Sequence, residues 1–255
     1  MLIKNTVFLF DVDGTLTPAR QEIAPEFLKY FTDWMTDKRV YLVSGSDLGK
    51  IKGQLSADIL SKTEGIFTAS GNCFHTSEGE LIYSKTFDPP RSLLDFLNEH
   101  LNHKSEYKLR FGNHIEPRSG MINFSVVGRN ANKEERDRYH DWDTEHGERK
   151  YIARHIKETY ADIEAVIGGE ISVDIYPKGD DKSQVLQYIN ADKYIFFGDK
   201  TLPGGNDYPL AHALEKKTSF LVHGVTGFEQ TWKILESLYS SNFCTNEECG
   251  TCECE

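Results

Sequence analysis

Short apolar runs bounded by turn residues recur along the chain at Val7 to Phe10, Val40 to Val43, Ile66 to Ala69, Tyr194 to Phe197 and Phe220 to Val222. Each has the length of a strand, and helix-like stretches separate most of them. That alternation predicts a parallel sheet covered by helices on both faces. Between Ala24 and Asp37, the residues Phe27, Tyr30, Phe31, Trp34 and Met35 recur at helical spacing, so this segment reads as a helix laying an aromatic face on a core.

The middle of the chain has a different texture. "MINFSVVG" and "ISVDIYP" alternate in the manner of half-exposed antiparallel strands, and Asn132 to Tyr160 is a charge-rich helical stretch with a break near Gly147. In "ISVDIYP" the alternation sends Ile171, Val173 and Ile175 to one face and Ser172 and Asp174 to the other. The change points to a second domain inserted into the first, with limits near Ser84 and Lys178. The expected class is α/β: a Rossmann-like doubly wound parallel sheet core, residues 1–84 and 179–241, carrying an inserted α+β cap domain at 85–178. Residues 242–255 make a Cys-rich acidic tail.

Bulk properties narrow the function. The 255 residues allow one large core or a main domain with a smaller one, and 38% hydrophobic with 27% charged residues is the balance of a soluble protein. No apolar stretch approaches the roughly 20 residues that span a bilayer. The segment Met1 to Phe10 lacks a secretory cleavage pattern, so the cytosol is the expected compartment. A formal net charge of −11 argues against a nucleic-acid partner, because phosphate backbones are held by excess Lys and Arg.

Candidate chemistry begins in "FLFDVDGTLT". Asp11 follows an apolar strand directly and should sit at the carboxyl end of the sheet, where open α/β folds place ligands. Asp13, two residues on, can point into the same crevice. An EF-hand calcium loop would need Gly at its sixth position and a helix before it, whereas Gly14 is fourth here and a strand precedes. Two carboxylates suit phosphoryl transfer, one attacking phosphorus and the other protonating the departing oxygen. A magnesium ion would relieve their repulsion of phosphate and calls for a third acid from elsewhere. Asp199 in "YIFFGDKTLPGGND" ends another strand as Asp11 does and is that metal ligand, with Asp207 a weaker candidate behind it. Ser46 in "YLVSGSD" could donate to a phosphate oxygen, although Ser46 or Asp47 could equally cap the next helix. Lys182 in "PKGDDKSQVL" begins a helix where the cap returns to the core, from which an ammonium could neutralise Asp11.

In this order "DVDGT", Ser46, Lys182 and "GDKTLPGGND" resemble the four motifs of the haloacid dehalogenase-like superfamily of aspartate-nucleophile phosphotransferases. "FLFDVDGTLTPARQ", "SGSD", "RSGMINFSVVGRNANKEER", "GGEISVDIYPKGDDK" and "FFGDKTLPGGND" resemble the eukaryotic-type phosphomannomutases along the chain to about residue 240. The resemblance implies a magnesium-dependent mutase that interconverts mannose 6-phosphate and mannose 1-phosphate, with glucose phosphates often handled too. It also implies a hexose 1,6-bisphosphate activator, a cytosolic homodimer joined through the caps and a place in GDP-mannose biosynthesis. Carried over, Asp11 is the nucleophile and Asp13 the general acid/base, whose backbone carbonyl contacts magnesium. Asp199 is the other metal carboxylate. Arg20, Arg118, Arg129 and Arg136 become substrate arginines, Ser172 and Asp174 hold sugar hydroxyls and phosphate, and Asn123 lies in the same motif.

Arginine suits the far phosphate because its planar fork makes bidentate, charge-assisted contacts, although Arg129 and Arg136 could instead sit on solvated ends. A mutase needs such a clamp in its cap because the bisphosphate must present either phosphate to Asp11 while the other is held. Two departures from the family pattern, Asp180 where an aromatic is usual and Val126 in place of a proline, bear on substrate preference. Cys244, Cys249, Cys252 and Cys254 crowd the tail, which reads as a disordered or redox-labile segment with a soft-metal site as the alternative. His100, His103, His140 and His146 lie in polar stretches and are expected to face water. The rival functions are a sugar-phosphate phosphatase on the same core and a non-catalytic phosphosugar-binding module.

Overall fold

In the computed structural model, which describes residues 5–239, the first apolar run forms β1 (Thr6–Phe10). Val7 and Leu9 enter one hydrophobic core while Phe8 and Phe10 enter another, so the strand is covered on both faces, as parallel strands require. The chain continues through α1 (Pro25–Trp34), β2 (Arg39–Val43), α2 (Leu48–Gln54), α3 (Ala57–Ser61) and β3 (Gly65–Thr68), with β1, β2 and β3 paired in parallel. The helix expected over Ala24 to Asp37 is α1 extended by a 3-10 turn at Met35–Asp37. Phe27, Phe31, Trp34 and Met35 are buried, and Tyr30 packs partly buried beside them. A hairpin of β4 (Cys73–His75) and β5 (Leu81–Ser84) then closes the sheet edge in antiparallel fashion. The apolar pattern does not announce it, because Leu81 and Ile82 are both more than half exposed.

After α4 (Arg91–Glu99) the chain builds a second, antiparallel sheet from β6 (Ile115–Arg118), β7 (Met121–Phe124), β8 (Ile163–Gly168) and β9 (Ser172–Pro177), in the order β6-β7-β9-β8. The charged stretch between β7 and β8 is two helices, α5 (Lys133–His146) and α6 (Glu148–Thr159). They part at Gly147, whose φ of 69° is left-handed, a conformation that ends a helix and that glycine adopts without a side-chain penalty. The three helices and one face of this sheet enclose a separate core that includes Leu97, Tyr139, Ile152, Ile156, Phe124, Ile171, Val173 and Ile175. The opposite face carries Glu116, Asn123 and Asp174 in one row, as register partners across β6, β7 and β9.

His100 corrects one expectation: it is buried, not facing water. A π-helical turn over His100–Lys104 brings its Nε2 within 3.0 Å of Glu148 Oε1, while the Tyr139 hydroxyl donates to Glu148 Oε2 at 3.1 Å. Its neighbours His103 and Lys104 are exposed, and their polarity hid the partner that α6 supplies.

The chain returns to the first sheet through a 3-10 turn at Lys182–Gln187, then β10 (Lys193–Gly198), α7 (Tyr208–Leu214), β11 (Phe220–Gly224) and α8 (Phe228–Tyr239). Strand β10 lies between β1 and β11, parallel to both, giving the order β11-β10-β1-β2-β3-β4-β5. Helices α1 and α8 cover one face, and α7 with the 3-10 turn covers the other. The carboxyl ends of β1 and β10 are therefore adjacent, and each delivers an aspartate. Among the described residues no helix is long and apolar enough to cross a membrane. The cysteine-rich tail lies outside them.

Candidate active site

Asp11 extends the ladder one bond past the end of β1: its N–H donates to Phe197 O at 2.9 Å, and the residue is buried. Lys182, fully buried, donates through Nζ to Asp11 Oδ1 and to Asp207 Oδ1, both at 2.6 Å. Asp207 Oδ2 also accepts from the backbone N–H of Lys200 at 3.0 Å. One oxygen each from Asp11, Asp199 and Asp207 lies within 4.8 Å of the others. Gly14 makes the approach of the two loops feasible, since a Cβ there would stand 2.7 Å from Asp199 Oδ2 and its φ of +79° already favours glycine.

Burial raises the Asp11 carboxyl to about 7, with Asp207 and Asp199 adding to the rise and Lys182 opposing it. Asp199 is pushed up by burial and by Asp207, against the pull of Lys200 and Lys182. For Lys182, burial disfavours the charge, but Asp11 and Asp207 outweigh it and hold the ammonium above its ordinary value. Lys182 thus bonds two of the three carboxylates, while Asp199 has the more distant Lys200, 3.8 Å from its Oδ2, and its Oδ1 is buried without a hydrogen-bond partner. This excess of hard oxygen donors fits a divalent cation held by Asp11 and Asp199. Asp207 has both oxygens engaged by donors, so its first role is to fix Lys182.

The Asp13 carboxylate is not in that trio. It accepts from Arg20 N at 2.7 Å, Lys50 Nζ at 2.6 Å, Gln54 Nε2 at 2.9 Å and Ser46 Oγ at 3.1 Å. Burial pushes Asp13 up, yet the bonds from Lys50, the Arg20 backbone and Gln54 prevail and bring it down to about 2. The helix cap falls to Asp47, which accepts from Lys50 N at 2.9 Å, so Ser46 is left to meet Asp13. Sequence reasoning missed Lys50 and Gln54. Their spacing of four on α2, just after "SGSD", places both on one helix face and is the signal that could have found them.

A cleft of about 840 Å³ runs between the two sheets, lined by Arg20, Ser46 and Lys50 on one side and by Glu116, Arg118, Arg129 and Arg136 on the other. Arg118 Nε donates to Glu116 Oε2 at 2.7 Å, and Arg129 Nε lies 3.7 Å from the same oxygen. Arg136 is moored to the backbone, its Nε and Nη2 donating to Ala131 O and Arg129 O, both at 2.7 Å. Arg20, with a left-handed φ of 61°, reaches from the core so that its Nη2 would stand 4.0 Å from a Cβ on Gly169. Asp11, Asp13, Lys182 and Asp199 in the core and Asn123, Ser172 and Asp174 on the second sheet are not among the residues that line the cleft. Asn123 donates to Asp174 on the same sheet face, and Ser172 Oγ donates to Gly168 O at 2.6 Å. Burial raises Asp174, opposed by Asn123, Arg118 and Arg129. The cleft can therefore hold an anion at its guanidinium end, while its core side is formed by Ser46 and Lys50, both of which bond Asp13.

A model of the eukaryotic phosphomannomutase family matches residues 27–241. A phosphomannomutase of Glycine max is 36% identical over 244 residues, covering 92% of this chain and 97% of that protein. One of Triticum aestivum is 37% identical over 241 residues, covering 91% and 95%. Among solved structures, an N-terminally truncated Plasmodium falciparum IMP-nucleotidase matches with a TM-score of 0.59 at 19% identity, covering 93% of this chain and 71% of that one. At that identity the likeness shows the fold, which is haloacid dehalogenase-like. The family match begins beyond Asp11 and Asp13, so the reading of that pair stands on the geometry.

Proposed function

Because the chain belongs to the eukaryotic phosphomannomutase family, we propose that it is a phosphohexomutase acting on mannose 6-phosphate and mannose 1-phosphate, and on the glucose phosphates. The observation that carries this reading is a pair of charged stations: the Asp11–Lys182 and Asp13–Lys50 pairs in the core, and an arginine group in the cap whose cleft reaches Lys50 and Ser46 beside Asp13. A phosphatase of this fold needs only the first.

In the proposed reaction the phosphoryl group on Asp11 passes to a hydroxyl of the hexose monophosphate, and Asp13 takes the proton of that hydroxyl. Its bonds to Lys50 and Gln54 keep it a carboxylate at neutral pH, the form this step requires. The hexose 1,6-bisphosphate then turns round. Its other phosphate returns to Asp11 while Asp13 gives the proton back to the departing sugar oxygen. Lys182 balances the nucleophile's charge throughout. Magnesium, held by Asp11, Asp199 and the Asp13 backbone carbonyl, would supply the positive charge that lets a phosphate dianion approach two carboxylates. Arg20, Arg118, Arg129 and Arg136 hold the non-reacting phosphate, and Asn123, Ser172 and Asp174 shape the sheet face behind them. A cytosolic homodimer joined through the caps, feeding GDP-mannose synthesis, completes the proposal.

A coupled assay with mannose 1-phosphate and magnesium separates this from hydrolysis. Adding a trace of hexose 1,6-bisphosphate should accelerate isomerisation with little inorganic phosphate released. Release of phosphate at a rate independent of the bisphosphate would make the protein a phosphatase.

A further inference from the structure

One acid, Glu116, lines the guanidinium end of the cleft, and a second, Asp174, lies buried close enough to act on Arg118 and Arg129. Glu116 Oε2 accepts from Arg118 Nε at 2.7 Å and lies 3.7 Å from Arg129 Nε, a buried nitrogen without a hydrogen-bond partner. Glu116 Oε1 meanwhile meets Asn113 Nδ2 at 3.4 Å. A carboxylate offers guanidinium groups the same kind of planar oxygen pair as one edge of a phosphate. Glu116 therefore occupies donors that a bound phosphate would use.

We propose that Glu116 is a positioning residue that competes with the substrate's non-reacting phosphate for Arg118 and Arg129, and so sets how readily the clamp lets go. The inference rests on the sugar-phosphate reading of the cleft, and it answers a requirement of that reading. The bisphosphate must leave the arginines to turn round before the second transfer, and three guanidiniums with no carboxylate bonded to them would hold it tightly. With Glu116 in place, each departing phosphate is replaced by a carboxylate. Arg118, Arg129 and Arg136 are then never left facing one another uncompensated. That crowding is felt in Arg129, whose basicity burial and the two neighbouring arginines depress. Arg136 stays out of the exchange, its Nε and Nη2 remaining on the Ala131 and Arg129 carbonyls.

The test is E116Q, which keeps the size and planarity of the side chain and removes its charge. With saturating bisphosphate, KM for mannose 1-phosphate should fall about three- to tenfold and kcat should fall with it, the pattern of tighter holding and slower release. Calorimetric titration of the magnesium-loaded protein with mannose 1-phosphate should show the same tightening. If affinity is unchanged or weakened in E116Q, Glu116 is a strut that orients Arg118 and the proposal is overturned. The calorimetric comparison decides this even if the wild-type protein binds the sugar phosphate and fails to isomerise it, an outcome that would count against the functional reading alone.

Discussion

Lys182 is the residue on which the core end of the site turns. An ammonium with no solvent contact is stable only where paired charges repay its desolvation, and here Asp11 and Asp207 both do so at 2.6 Å. K182M leaves two buried carboxylates without their counter-charge. It should lower the unfolding free energy in urea by about 3–5 kcal/mol and abolish turnover; a loss below about 1 kcal/mol would show that the pair is not the buried contact described. Asp11 and Lys182 were legible because their motifs occur together in a fixed order. Lys50 and Glu116 were not, since a lysine three residues past a helix cap and a glutamate in a short strand read as solvated surface. Their partners Asp13 and Arg129 lie 37 and 13 positions away.

At the scale of elements, the parallel strands showed in the sequence because burial on both faces makes them continuous apolar runs, as in β1 and β10. Strands β4 and β5 did not, since β4 spans only Cys73–His75 and the edge strand β5 leaves Leu81 and Ile82 exposed. The junction of α5 and α6 gives a clean test. A Cβ on Gly147 would meet nothing within 4 Å, so G147A should cost only the left-handed penalty, roughly 1–2 kcal/mol, with activity retained. A larger loss in denaturant would mean that the junction is packed. Glu148 joins α6 to the turn after α4. Burial raises its carboxyl, but the bonds from His100, Ser105 and Tyr139 outweigh this and hold it below the ordinary 4.5. The folded chain thus keeps this group ionised to lower pH than the unfolded chain. Its contribution is present above 4.5 and fades as pH falls through the folded value. The stability of wild type over E148Q, followed by thermal unfolding, should shrink as pH drops below 4.5, and a gap that widens there would contradict the assignment.

The whole molecule is two sheets with separate cores and a cleft between them. The second sheet could be read from the switch between continuous and alternating apolar patterns. Which cap residues reach the cleft could not, because that depends on how the second sheet stands over the first. Arg118, Arg129 and Arg136 line it while Asn123, Ser172 and Asp174 do not. A cation drawing Asp11 and Asp199 together binds only the folded chain, so magnesium should raise the unfolding midpoint, chelation should lower it, and D199N should flatten the response. An equal rise in D199N would place the ion elsewhere. The most direct measurement is a rapid-quench experiment with magnesium and 32P-labelled hexose 1,6-bisphosphate, followed by mapping of the labelled peptide. The account requires label on Asp11, absent in D11N and transferred on chase to unlabelled mannose 1-phosphate. Label on another residue, or recovered only as inorganic phosphate, would contradict it.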